Sequence, residues 1–185
     1  MPGFHIHLSI GNRYIEKHKV QDKKQFLEGV IAPDFEEKGK SHYTLPSTKD
    51  NLVEHLKCKV SIENFLKEHK LENDYEKGIL LHLLTDKLFF TDFFPKEYLE
   101  KVGYQNFTND LYFSYNQTND YLENRYHIEF SEELRKKINK NIEDSKKEKK
   151  MESNKGNNIL PIEKLEAFIE EVSDIDLEKY KNSSK

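Results

Sequence analysis

The chain has 185 residues, a single cysteine, 30 basic against 34 acidic side chains and a formal net charge of −4. That length fits one domain whose core needs no disulfide staple, and Cys58 alone can form none within the chain. Charges of both signs are interleaved, which excludes a broad cationic face for nucleic acid, and no run of about 20 apolar residues is present to span a membrane.

The start, Met-Pro-Gly-Phe-His, lacks the basic and apolar regions of a secretory signal, so a soluble, cytoplasmic protein is expected. Seven glycines and five prolines are too few for the turns of an all-β fold, and no alternating apolar pattern is sustained. The elements therefore read as helices. The first covers about Gly3 to Lys17, with Phe4, His7, Leu8 and Gly11 near one face. A second runs from Lys23 to Ile31 and is expected to stop at Pro33. Asp34 to Lys49 reads as a loop rich in Gly, Ser, Thr and Pro.

Short helices are expected near Asn51 to Lys57 and Ser61 to His69, the latter N-capped by Ser61. The strongest helix spans Asn73 to Phe90; another follows Pro95, and a long one covers Thr108 to Tyr126. Ser131 to Lys146 reads as a solvated amphipathic helix, Met151 to Asn158 as a loop, and Pro161 opens a last helix with Leu165, Phe168, Ile169 and Val172 on one side. Residues 1–146 are expected to form the main helical body, with 147–185 a loop and helix docked on it or flanking it.

Chemistry shows in the strongest helix. Ile79, Leu80, Leu81, Leu83, Leu84 and Leu88 surround it on nearly every side, which places it inside the domain. Within that run His82 and Asp86 stand four residues apart and share a face. A carboxylate among leucines is costly unless it is paired or binds a cation. Gly78, one step earlier on the same stripe, costs about 1 kcal/mol against alanine, which suggests that another group approaches that face closely.

Taken alone, the pair reads as a histidine hydrogen-bonded to its helical neighbour. Further ligand types at separated positions change the balance: His5 and His7 near the start, Asp34 after Pro33, and His42 in Ser41-His42-Tyr43. His7, Asp34, His42, His82 and Asp86 together supply three imidazoles and two carboxylates, a mixture suited to zinc or another borderline divalent ion.

The order and surroundings of these residues resemble the zinc-dependent phospholipase C family in its short bacterial form. The motifs are His-Leu-x-x-Gly (His7 to Gly11), Phe-Leu-x-Gly-x-x-x-Pro-Asp (Phe26 to Asp34), Lys40-Ser41-His42-Tyr43, and Gly-x-x-x-His-x-x-x-Asp (Gly78 to Asp86). The resemblance covers residues 1 to 90 and implies an all-α, single-domain helical bundle of the phospholipase C/P1 nuclease type, with a metal cluster in a cleft. It implies His7 as N-terminal ligand, Asp34 as the carboxylate that handles the attacking water, and His42, His82 and Asp86 as the remaining ligands.

The chain departs from the family downstream. A further histidine and a His-x-x-x-Glu pair are missing; only His127 follows, with Ser131 four residues on. One or two divalent ions, zinc first, are expected rather than three. Asp120 and His5 are possible additional ligands, Tyr43 is expected to line the pocket, and Tyr112, Tyr115 and Tyr121 to wall a cleft. His18, His55, His69 and His127 are expected at the surface.

The activity implied is metal-dependent hydrolysis of a small phosphate ester, with Asp34 as general base. The alternative is a non-catalytic helical binding protein that keeps a degenerate metal site. An HD-type phosphohydrolase is disfavoured, because the chain has no His-Asp dipeptide.

Overall fold

The computed structural model describes residues 3–36, 38–148 and 155–182, and among these the fold is all-α with no strand. The helices in chain order are α1 (Phe4–Lys17), α2 (Lys23–Phe35), α3 (Lys38–Ser41), α4 (Leu52–Lys57), α5 (Ile62–Glu68), α6 (Asp74–Leu88), α7 (Lys96–Val102), α8 (Tyr104–Arg125), α9 (Glu132–Glu148) and α10 (Ile162–Ser173). A π-helical turn (Phe89–Phe93) extends α6, and a 3-10 turn (Leu177–Asn182) follows α10. Among the described residues no helix is long and apolar enough to cross a membrane.

Local chemistry explains most boundaries. Asp22, Asn51, Ser61 and Asn73 each accept a bond from the backbone N–H three residues on, satisfying a donor that the helix start would otherwise orphan. Pro95 and Pro161 sit immediately before α7 and α10. Gly103, at φ 71°, breaks the chain between α7 and α8, so α8 begins four residues earlier than the expected Thr108.

Two expectations about α2 and its sequel are corrected. The helix does not stop before Pro33 but continues through it to Phe35, and Asp34 is helical rather than in a loop. Its final carbonyls find side-chain donors instead of relying on a further turn: His82 bonds to Val30, Ser41 to Pro33 and Asn141 to Asp34. The expected loop also contains α3, whose end carries Ser41 immediately before His42.

The centre of the molecule is the crossing of α2 on α6. At the crossing Gly29 and Gly78 meet back to back. A Cβ on Gly29 would lie 2.1 Å from the Tyr75 carbonyl oxygen, and one on Gly78 would lie 2.1 Å from that of Phe26. The close approach foreseen at Gly78 is therefore made by the backbone of α2. Asp74 strengthens the junction, its Oδ2 accepting from the Gln21 and Asp22 amides at 2.8 and 2.7 Å.

Helix α1 lies against α2 and carries α10 on its other side. Leu165, Phe168, Ile169 and Val172 are buried, as the apolar side of this helix predicts. Arg13 and Lys17 pair with Glu170, and Lys17 also pairs with Asp174. Within the same core the rings of Phe89, Phe93, Phe94, Phe107 and Phe168 pack on one another. The expected loop over Met151 to Asn158 falls partly outside the described residues; from Lys155 to Pro161 the chain is irregular and runs along α8, where Asn157 and Ile159 amides bond to Asp110 and Ser114.

Candidate metal centre

The α2–α6 crossing fixes two of the ligand-type residues and their neighbours. His82 and Asp86 lie one turn apart on α6 with 0% exposure; Asp34 ends α2 at 3%, His7 faces them from α1 at 1%, and His42 follows α3 at 2%. All five residues that the sequence singled out therefore sit in one buried place, although 79 positions separate the first from the last.

Hydrogen bonding assigns the histidine tautomers. His82 Nδ1 is 2.7 Å from the Val30 carbonyl oxygen, so Nδ1 carries the proton and Nε2 keeps a lone pair. The Ser41 hydroxyl donates its one proton to the Pro33 carbonyl at 2.9 Å, so at 2.9 Å from His42 Nδ1 it must accept, which leaves His42 Nε2 with a lone pair too. These two nitrogens are 3.1 Å apart and face each other. Two lone pairs that close repel unless a cation stands between or beside them.

Asp86 completes the set. Its Oδ2 lies 3.3 Å from His42 Nε2 and 3.9 Å from His82 Nε2, and its Oδ1 lies 3.2 Å from His7 Nε2. These are ion-pair distances without hydrogen-bond alignment: both Asp86 oxygens and both His7 nitrogens are buried with no hydrogen-bond partner. The His7 ring stacks on His82 with centroids 3.8 Å apart and planes 10° from parallel. Asp34 Oδ1 stands 3.8 Å from His42 Nε2.

Electrostatics favours the ligand forms. Burial, with His7 beside it, holds the His82 imidazole well below its ordinary 6.5, so it is neutral at neutral pH. Burial alone would raise the Asp86 carboxyl, yet His82 and His42 together with His7 hold it well below the usual carboxylate range. An ionised carboxylate and neutral imidazoles are the states that bind a divalent ion.

The spacing fits as well. Two ligands at about 2.0–2.1 Å from a tetrahedral zinc stand roughly 3.3 Å from each other, and the edges 3.1, 3.3 and 3.9 Å bracket that value. Ligand atoms of His7, Asp34 and His82 lie within 4.8 Å of one another, as do those of His42, His82 and Asp86. His82 belongs to both groups, and with Nδ1 committed to Val30 it has only Nε2 to offer a cation.

Beside this centre a cleft opens between α1, α8 and α9, enclosing about 550 Å³ with its mouth, and Asp34 belongs to both. Tyr112 and Tyr115 of α8 line it, as the sequence suggested. Burial first, then Tyr112 and the carboxylates of Asp86 and Asp34, push the Tyr115 hydroxyl well above its ordinary 10, so it stays protonated.

Other candidates fall elsewhere. His5 lines the cleft but turns Nε2 to Glu123 at 3.4 Å, away from the centre. Asp120 and His127 are exposed, and the Tyr121 hydroxyl bonds to Glu166. Tyr43 is not among the cleft residues; its hydroxyl bonds to His69 at 2.9 Å and to Glu68. Three histidines expected at the surface are not free there. His55 is buried against Ser47 and Tyr104, His18 bonds to the Ser173 carbonyl, and His69 pairs with Glu76. Sequence reading missed Ser41 and the Val30 carbonyl, which orient the histidines, and the asparagines of the cleft.

No protein-family model, characterised protein or solved structure matches the chain.

Proposed function

We propose that the chain is a metal-dependent hydrolase acting on a phosphate ester. The observation that carries this reading is the pair of proton-free imidazole nitrogens of His42 and His82, 3.1 Å apart beside the ionised Asp86. His7, His42, His82 and Asp86, with Asp34 at the edge, would hold one divalent ion of the zinc class. Such an ion supplies a water with its pKa lowered toward about 7 and neutralises charge on phosphoryl oxygens.

The chain's own groups do the rest. Asp34, the one member of the cluster that also borders the cleft, orients a water there and takes its proton as general base. Tyr115, protonated throughout the neutral range, donates to an oxygen of the bound ester. Ser41 and the Val30 carbonyl hold His42 and His82 in the required tautomers.

The test is a panel of phosphodiesters and phosphomonoesters assayed with zinc or manganese. Turnover should depend on added metal and fall by about 10²–10⁴ in Asp34→Asn, with metal content retained by the other four ligands. Fully metallated protein that hydrolyses nothing in the panel would sink the enzyme reading. One feature favours a second reading, a binding protein stabilised by a buried ion: His82 and Asp86 have no exposed surface. In that case His82→Ala lowers stability and there is no hydrolysis to lose.

A further inference from the structure

Four side chains of α8, Tyr112, Tyr115, Asn116 and Asn119, fall at helical spacing on the side that faces the cleft. Asn141 of α9 faces them. Among the described residues no lysine or arginine lines the cleft. A second phosphate charge, or a free phosphate, would find no side-chain cation here beyond the metal centre.

Besides the Asp34 carboxylate and the His5 ring, the lining is made of amides, hydroxyls and the apolar surfaces of Phe4, Ile142 and the two tyrosines. Asn119 is the informative member. Its Oδ1 is buried and has no hydrogen-bond partner. A buried amide oxygen left without a partner is costly, so a group in the cleft that bonds to it relieves that cost. Hydroxyl is the group that suits an amide from either end, since it both donates and accepts. The Tyr112 and Tyr115 rings, centroids 5.7 Å apart and 62° from parallel, offer the apolar surface that C–H faces require.

We propose that this cleft takes a neutral polyhydroxylated group, a sugar or polyol, as the alcohol part of the ester. The inference rests on the reading of Asp34 as the edge of a hydrolytic centre. The volume of about 550 Å³, mouth included, has room for one sugar ring or a short polyol.

The experiment is a titration of the metal-free 185-residue chain with methyl α-glucoside and with myo-inositol, followed by amide NMR, with choline chloride and inorganic phosphate titrated in parallel. Saturable shifts on α8 and α9 are expected with one of the polyols. Asn119→Ala should weaken that binding at least about tenfold while its zinc uptake, which reports an intact fold, stays as in the parent. Preferential binding of choline or of phosphate overturns the inference, as does an absence of polyol binding or equal binding by Asn119→Ala. Polyol binding without any ester hydrolysis defeats the proposed activity alone; ester hydrolysis without polyol binding defeats this inference alone.

Discussion

Replacing Asp86 by asparagine separates a metal ligand from a structural ion pair. The carboxylate is fully buried, and His82, His42 and His7 around it hold it ionised without a metal ion as well as with one. Asp86→Asn should therefore cost the metal-free protein about 3 kcal/mol or more, and should also abolish the rise in Tm that zinc produces in the parent. If the carboxylate served only to pair with His7 and His42, zinc would raise Tm equally in parent and variant; thermal melts with zinc and with chelator distinguish the two. His82 and Asp86 were legible in the sequence because polar residues at i, i+4 inside a leucine-rich helix have few inexpensive explanations. Ser41 and Asn119 were not. What a serine or asparagine bonds to depends on which distant carbonyl or helix arrives beside it, and neither spacing nor composition carries that.

Among the elements, the α2–α6 crossing decides the geometry of the centre. Gly29 and Gly78 let the two backbones touch, and the same contact brings the Val30 carbonyl within 2.7 Å of His82 Nδ1. Gly78→Ala would force a methyl against the Phe26 carbonyl, which is backbone and cannot rotate away. A loss of about 3 kcal/mol in denaturant unfolding is expected, at the upper end for overpacking; a change below about 0.5 kcal/mol would mean that the helices do not meet there. Helix identities were readable from periodicity, caps and prolines. The end of α2 was not, because Pro33 falls in a last turn whose carbonyls are served by His82, Ser41 and Asn141 from other elements. Tertiary bonds there override a local stop signal.

For the molecule as a whole, buried neutral histidines tie stability to pH. Burial, reinforced by Lys59 and Lys49, lowers His55 from 6.5 to about 4. Between those values the unfolded chain takes up a proton that the folded chain refuses, so stability is fully present above about 6.5 and falls as the solution is acidified toward 4. His82, also held low by burial, acts in the same direction. His55→Gln should lose less Tm than the parent between pH 7 and pH 4.5 in metal-free buffer; identical losses would mean that the ring is solvated. Net charge and charge spacing carried no sign of this, since His55 stands between charged residues in sequence yet packs on Tyr104 in the fold.

All of this depends on the convergence of His7, Asp34, His42, His82 and Asp86 on a divalent ion, and metal stoichiometry tests it most directly. Protein dialysed against excess zinc at pH 7.5 and then freed of loose metal should retain about one equivalent, with an anomalous peak at the α2–α6 crossing, while Asp86→Asn retains well under half of that. Fully folded parent protein with no retained zinc, manganese or other transition metal, or with the metal held at a surface site indifferent to Asp86, would contradict the account.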